Sequence, residues 1–110
     1  MNIAAVAPGL IDGILLEQVK ITLGRSSDQV GGLFDRRPFS GTPDLYPHPV
    51  SGFYLENAAG VVVRDCEVAW ADPRPDYFAH ALEAVDCPGL TVSNLVGGAA
   101  AAGLDAVVVR

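Results

Sequence analysis

The chain has 110 residues, half of them hydrophobic, and thirteen acidic against seven basic residues give a net charge of −6. This length allows one domain with a packed core, and the acidic balance argues against binding to nucleic acid or anionic lipid. The first 18 residues lack a positively charged start and a long apolar run, so neither a signal peptide nor a membrane span is predicted there.

The N-terminal part contains short apolar segments. Residues 1–12 carry a turn signal at Pro8-Gly9 and are predicted to hold the second part of a structural repeat whose beginning is missing or irregular. Residues 14–23 alternate apolar and polar residues in two short runs that are interrupted near Glu17 and Gln18. That pattern predicts two short strands with a corner between them.

Residues 24–50 contain four prolines and four glycines and show no sustained periodicity, which predicts a long inserted loop. Long loops on a rigid scaffold are often functional. Polar, charged and aromatic groups of the kinds that bind sugars are concentrated in it: Arg25, Asp35, Arg36, Arg37, Asp44, Tyr46 and His48. From these we predict a substrate-binding set of Arg36, Arg37, Tyr46 and His48. The alternative is a solvated loop that covers one flank of the domain.

The stretch from Gly52 to Val68 recurs on both sides of itself as glycine, apolar-x-apolar, a polar pair and apolar-x-apolar. An offset of 29 residues matches Gly60 with Gly89, Val61 with Leu90, Val63 with Val92, Asp65 with Asn94 and Cys66 with Leu95. An offset of 47 residues matches the same stretch with Gly13, Ile14, Leu16, Gln18, Val19 and Ile21. The chain therefore contains one strand-corner-strand unit in at least three copies.

Repeats of this length without helical segments favour a parallel β-solenoid, in which each coil covers the apolar face of the next. Stacking would place Val63 between Leu16 and Val92. The corner residues Gln18, Asp65 and Asn94 would form a polar column that can bond to neighbouring turns. The alternative is a small sandwich of three unrelated hairpins.

The C-terminal part continues the pattern. Residues 70–76 contain Pro73 and Pro75 and are predicted to be a turn, 81–96 to be the next coil, and 97–102 an apolar link. Residues 104–110 are predicted to begin a fourth coil, which gives three to four coils in a single partial domain, 1–110.

The two cysteines and two histidines give little sign of a metal or cofactor site. Cys66 and Cys87 fall in different columns of the repeat, and neither a CxxC motif nor closely spaced histidine accompanies them, so we predict buried thiols and no cofactor. His80 aligns with Asp105 at the start of a coil and is predicted to be structural. His48, between two prolines, is the better candidate for substrate contact.

Several segments together resemble a known family. GILLEQVKIT, a loop containing GG, YPHPVSGFYLENAAGVVVRDCEV and PRPDYFAHALEAVDCPGLTVSNL are similar to the C-terminal coils of polygalacturonase-like enzymes, the family 28 glycoside hydrolases. The resemblance implies an all-β, right-handed parallel β-helix, a pectin-type or related polysaccharide as substrate, and hydrolysis with inversion. It also implies a secreted or periplasmic parent protein, although the chain itself leaves the compartment unknown.

The catalytic motifs of that family do not occur in this sequence. The family takes its acid and base carboxylates from NTD and DD segments, beside GHG and RIK segments, and none of the four is found here. The isolated aspartates Asp65, Asp72, Asp76 and Asp86 form no adjacent pair, so no catalytic role is assigned to any residue. We expect no release of reducing ends from polygalacturonate by this chain alone.

Three functional interpretations follow. The first is the C-terminal portion of a polysaccharide hydrolase whose catalytic carboxylates lie outside the chain. The second is a non-catalytic β-helix module that binds carbohydrate or packs in a larger assembly. The third is a lyase-type β-helix, which would need clustered acidic ligands for calcium, whereas the aspartates here are dispersed. Expected partners are a polysaccharide or oligosaccharide and, through open strand edges, a second copy of the chain; nucleic acid and membrane are not expected.

Overall fold

A computed structural model describes residues 1–37 and 45–110, and all regular secondary structure in these residues is β-strand. The strands are β1 (Asn2–Ala4), β2 (Ile11–Asp12), β3 (Leu15–Glu17), β4 (Lys20–Leu23), β5 (Leu33–Asp35), β6 (Leu45–Pro47), β7 (Phe53–Glu56), β8 (Ala58–Ala59), β9 (Val62–Trp70), β10 (Leu82–Val85), β11 (Thr91–Val96) and β12 (Val107–Val109). The predicted all-β class is confirmed. The described residues include no helix long and apolar enough to cross a membrane.

Strands from successive sequence repeats pair side by side. One sheet has the order β1-β7-β10-β12, and in a second sheet β9 lies between β11 on one side and β3 and β4 on the other. Strands β2 and β8 form a third, two-stranded sheet. All of these pairings are parallel, whereas β5 and β6 form an antiparallel hairpin.

The strand register agrees with both sequence offsets. Val63 pairs with Val92 on β11 and with Leu16 on β3, so its predicted position between these two residues is confirmed. Hairpins would pair their own strands antiparallel, as strands joined by a short turn do. The parallel pairing between repeats therefore excludes the sandwich of three unrelated hairpins.

The core lies inside the second and third repeats. Phe53, Leu55, Val63 and Leu82 have no exposed surface, and Cys66 is 1% exposed. On β7 the alternation of a strand sends Phe53 and Leu55 inward, so Tyr54 between them points to the opposite face of the sheet. That outward face of β7 carries the site described below.

Two corners in each of the central repeats use residues with positive φ. Gln18, Asp65 and Asn94 have φ between 51° and 55°, as predicted for a corner column, and the Asn94 side-chain amide donates to the Asp65 carboxylate at 2.9 Å. Asn57 and Asp86 occupy a second corner at φ 54° and 52°. Asparagine and aspartate tolerate this left-handed conformation because their short polar side chains bond locally.

The prediction for residues 1–12 is wrong. They hold the first part of a repeat, since Asn2 pairs with Tyr54 on β7 and Ile11 pairs with Ala58 on β8. The offset is 52 residues at β1 but 47 at β2, because the bend between these strands is longer than the corresponding corner after β7. This difference hides β1 from a search at constant offset.

Residues 24–37 and 45–50, the described parts of the inserted segment, add no further repeat, as predicted, yet they are more ordered than a plain loop. They contain the β5–β6 hairpin, in which Phe34 lies opposite Tyr46. Of the polar residues predicted here to bind sugars, Asp44 lies outside the described residues. Both cysteines are free thiols; Cys66 is buried as predicted, whereas Cys87 is only partly buried.

Candidate functional site

The β5–β6 hairpin lies on the outward face of β7. Phe34 on β5 is 6% exposed, and its ring meets the ring of Tyr54 edge-on at a centroid distance of 4.8 Å. Tyr54 is 4% exposed although it points away from the domain core. The hairpin therefore buries a second apolar contact outside the main core, and aromatic burial of this kind stabilises its position.

Two glycines let the hairpin approach the rest of the domain. A Cβ atom on Gly32 would lie 2.9 Å from the Tyr77 Cβ, and its φ of +72° is one that only glycine adopts readily. The Gly32 carbonyl accepts a hydrogen bond from the His48 amide at 2.9 Å, which closes the base of the hairpin. The side chain of Tyr77 therefore leaves too little room for a Cβ atom at either residue of the GG pair, Gly31 and Gly32.

An aromatic cluster joins the hairpin to β7. The His48 ring stacks on Phe34 at 4.0 Å with an interplanar angle of 21°, and it meets Tyr54 edge-on at 5.0 Å. Tyr46 lies edge-on to Phe34 at 6.0 Å. His48 also places Nδ1 2.7 Å from the carbonyl oxygen of Pro49. These contacts give Tyr46 and His48 a role in holding the hairpin.

Beside the aromatic cluster, Arg36 forms an ion pair with Glu56 on β7, and both side chains are about one-fifth exposed. The Tyr54 hydroxyl donates to the same carboxylate at 2.9 Å. The Arg36 guanidinium also lies over the Tyr46 ring, 5.6 Å from its centroid, within the range of a cation–π contact. Glu56 therefore accepts from two donors and holds both in place.

Charge, hydrogen bonds and burial shift the pKa values of Tyr54 and Asp35, and the pKa of Arg36 is raised as well. Burial, followed by the hydrogen bond to Glu56, raises the pKa of Tyr54 above its usual value, so the phenol stays a neutral donor. The hydrogen bonds from Arg37 lower the pKa of Asp35 to about 2. Arg37 reaches this carboxylate through Nε at 2.9 Å and through a second guanidinium nitrogen at 2.6 Å. Asp35 is consequently ionised at any ordinary pH.

A cleft of about 330 Å³ opens between the hairpin and the first repeat. Its lining residues come from the first strand and the bend after it, from β5 and from β7: Asn2, Ala4, Ala5, Val6, Phe34, Asp35, Arg36 and Tyr54. The volume is at the lower end of the range of small-molecule pockets, about 300–1,000 Å³. Apolar walls with a few polar groups are the usual composition of such pockets.

The structure divides the four predicted binding residues between the cleft and its support. Arg36 lines the cleft, and Arg37 holds the Asp35 side chain of the lining through their ion pair. Tyr46 and His48 belong to the aromatic cluster that packs beside Phe34. Arg25, also in the segment, donates to the carbonyls of Ser27 and Gln29 and so folds its own turn.

The sequence points to only two of the eight residues that line the cleft, Asp35 and Arg36. Strand β1 does not match β7 at the constant offset, so Asn2 and Val6 are absent from the predicted site, and Tyr54 is predicted only as part of a strand. The available signal for Tyr54 was the strand period, since an aromatic residue between inward Phe53 and Leu55 must face outward. A tyrosine that faces outward and is covered by a segment distant in sequence indicates a contact surface.

Three other acidic residues, Asp65, Asp72 and Glu83, and also His80 have structural partners. Asp65 accepts from Asn94, Asp72 pairs with Arg74 at 3.2 Å, and His80 places Nδ1 2.7 Å from the Asp105 carbonyl oxygen, in keeping with its predicted structural role. Glu83, on β10, is 5% exposed and is held by Arg110 and by the Ser51 hydroxyl at 3.2 Å. Within 1–37 and 45–110 no three metal-binding side chains form a group that could hold an ion.

Comparisons with known proteins do not assign a family. No family model matches the chain, and neither a curated protein nor a solved structure is significantly similar to it. The resemblance to polygalacturonase-like hydrolases therefore rests on the quoted sequence segments alone, and the cleft is the main structural feature on which a function can be argued.

Proposed function

We propose that the chain is a right-handed parallel β-helix segment of three to four coils that belongs to a polysaccharide-acting protein. Support comes from the parallel pairing of equivalent strands at the repeat offsets and from the corner residues that recur at equivalent positions. In this arrangement each of the first three repeats supplies strands to both main sheets: β1, β3 and β4, then β7 and β9, then β10 and β11. The segment 24–50 is then an insertion between two coils, and its β5–β6 hairpin packs back on the outward face of β7.

The function that this geometry supports best is binding of a saccharide in the cleft. The observation that carries it is the combination of the Phe34 and Tyr54 rings with the Asp35, Arg36 and Asn2 side chains around one open volume. The exposed edges of these rings, with Ala4 and Val6, can contact the apolar face of a sugar ring, and the polar groups can bond its hydroxyls. The family resemblance extends the proposal to a pectin-type polysaccharide, hydrolysed by carboxylates outside these 110 residues.

A substitution that fills the cleft tests the proposal. Ala4 lines the cleft and is exposed on β1, so Ala4→Tyr should occupy the volume without disturbing the core. We expect Ala4→Tyr to weaken binding of pectin-derived oligosaccharides at least about tenfold in calorimetric titration, because the ring occupies the place of the sugar.

The matched control is Thr22→Tyr, which adds the same ring at an exposed position of β4. It should bind as the parent does, and both variants should melt at the temperature of the parent. Equal affinity of Ala4→Tyr and the parent for every oligosaccharide would show that the sugar does not bind in this cleft.

A non-catalytic carbohydrate-binding module is the second candidate, because both acids at the cleft, Asp35 and Glu56, are held in ion pairs. Asp35, with a pKa near 2, has no proton to give at neutral pH, and Glu56 is held by Arg36 and Tyr54. A glycoside hydrolase needs one carboxylic acid that stays protonated at its working pH. Coding sequence for NTD and DD motifs in frame before Met1 would favour the hydrolase over the module.

Self-association through a strand edge is a separate proposal. In the described parts of the chain, β12 pairs with β10 alone, and its residues Val107 and Val109 are 40% and 60% exposed. An apolar edge of this kind can pair with another chain. We expect scattered light per unit mass to rise with concentration for the parent and to stay constant for Val107→Lys/Val109→Lys. A parent that stays monomeric throughout would contradict the proposal.

A further inference from the structure

We propose that the cleft selects an uncharged sugar residue and discriminates against a uronate. This inference rests on the proposed saccharide binding and narrows its ligand. It departs from the pectin-type expectation, in which arginines of the inserted segment would meet the carboxylates of polygalacturonate. The reason lies in how the charges around the cleft are already paired.

The arginine that lines the cleft is committed to a protein carboxylate. Arg36 pairs with Glu56 while both side chains are about four-fifths buried, and Tyr54 donates to the same oxygen of Glu56. A uronate that took Arg36 would leave Glu56 partly buried beside the Tyr54 hydroxyl alone. Leaving one partner of a buried ion pair without its counter-charge is costly, so the exchange is unfavourable.

The carboxylate that lines the cleft is ionised. Asp35 is held by Arg37, and about half of its side chain remains exposed. Its oxygens can accept hydrogen bonds from sugar hydroxyls, which is the useful chemistry of a carboxylate toward a neutral polyol. Arg37 offsets part of the Asp35 charge, and the remainder repels a second carboxylate, together with the net charge of −6 on the whole chain.

The other lining groups carry no charge. Asn2 offers an amide with donors and an acceptor, and Ala4, Val6 and Phe34 provide apolar surface. Among the described residues that line the cleft, Arg36 is the only cation, and it is paired with Glu56. The described lining therefore has no unpaired basic group that could bind an acid. Groups that bond hydroxyls, next to apolar surface, are suited to binding a neutral pyranose.

Three trisaccharides separate charge from shape: trigalacturonate, its fully methyl-esterified form, and galactotriose. The first two share ring, linkage and length and differ chiefly in the negative charges. By calorimetric titration of the whole chain at low salt, we expect the ester and galactotriose to bind about tenfold more tightly than trigalacturonate. Higher salt should reduce the difference, because exposed charges are then screened.

The Asp35→Asn variant tests whether the difference in affinity between the charged and uncharged sugars arises in the cleft. This variant should bind trigalacturonate several-fold more tightly than the parent does, while its affinity for the ester changes little. Asp76→Asn makes the same change of net charge at an exposed residue outside the lining and should retain the discrimination of the parent.

The outcomes distinguish this inference from the proposed function. Tighter binding of trigalacturonate than of its ester overturns the inference and leaves saccharide binding standing. Discrimination that is equal in Asp35→Asn and Asp76→Asn overturns its assignment to the cleft. Absence of binding by all three sugars overturns the inference and the proposed function together.

Discussion

Replacing Val63 with aspartate should remove a large part of the free energy of unfolding of the chain. Val63 has no exposed surface and lies between Leu16 and Val92 in the middle of three stacked strands. A carboxylate there has no partner, and its burial should cost at least about 4 kcal/mol. That is comparable with the whole free energy of unfolding of a small domain, about 5–15 kcal/mol. Urea denaturation followed by circular dichroism measures the effect.

Val30→Asp is the matched control for this experiment, because it makes the same substitution at a valine that is 81% exposed in the inserted segment. Its midpoint of denaturation should lie close to that of the parent, since surface changes are usually within about 0.5 kcal/mol. If Val63→Asp unfolds at the same urea concentration as Val30→Asp, the column of Leu16, Val63 and Val92 is not the core of the domain.

Gly52→Ala is the second substitution for which we expect a large loss of stability. A Cβ atom at this position would lie 2.7 Å from the Ala81 carbonyl oxygen and 2.7 Å from a methyl carbon of Val68. One contact is backbone on the next repeat and the other is a buried side chain, so neither atom moves without a shift between repeats. We expect a loss of about 1–3 kcal/mol, seen as a lower midpoint of thermal unfolding.

Gly98→Ala is the matched control, because it replaces a glycine without creating the steric contact that is expected at Gly52. A Cβ at Gly98 meets no atom within 4 Å. Its unfolding midpoint should therefore equal or slightly exceed that of the parent, because alanine lowers the entropy of the unfolded chain. A Gly52→Ala protein as stable as Gly98→Ala would mean that the repeats are spaced more widely at Gly52 than the structure shows.

The repeat register could be predicted because every part of its signal is local. Alternation of apolar residues follows from strand geometry, and the corner residues Asp65 and Asn94 follow from the few side chains that tolerate positive φ. Two segments that share such a pattern must pair in the register that buries the same face. Val63 could thus be placed between Leu16 and Val92 without any structure.

The first strand and the hairpin could not be predicted in this way. Strand β1 has three residues, and its offset of 52 differs from the 47 of the rest of its repeat, so periodicity gave no match. Strands β5 and β6 also have three residues each, among prolines and glycines that favour a loop. Such short strands are stabilised by tertiary contacts, here those of Phe34 with Tyr54 and His48.

The sequence by itself determined the all-β class, the repeat offsets and the inserted segment that carries Asp35 and Arg36. Tertiary structure alone decided which residues of that segment face the cleft, because Arg36 is directed there by Glu56 on β7 while Tyr46 and His48 pack against Phe34. It also decided that Asn2 and Tyr54 share one surface, since their strands are 52 residues apart in sequence but adjacent in the sheet. The pattern of a strand specifies which of its residues are buried, whereas the lining of a cleft depends on which distant segments pack together.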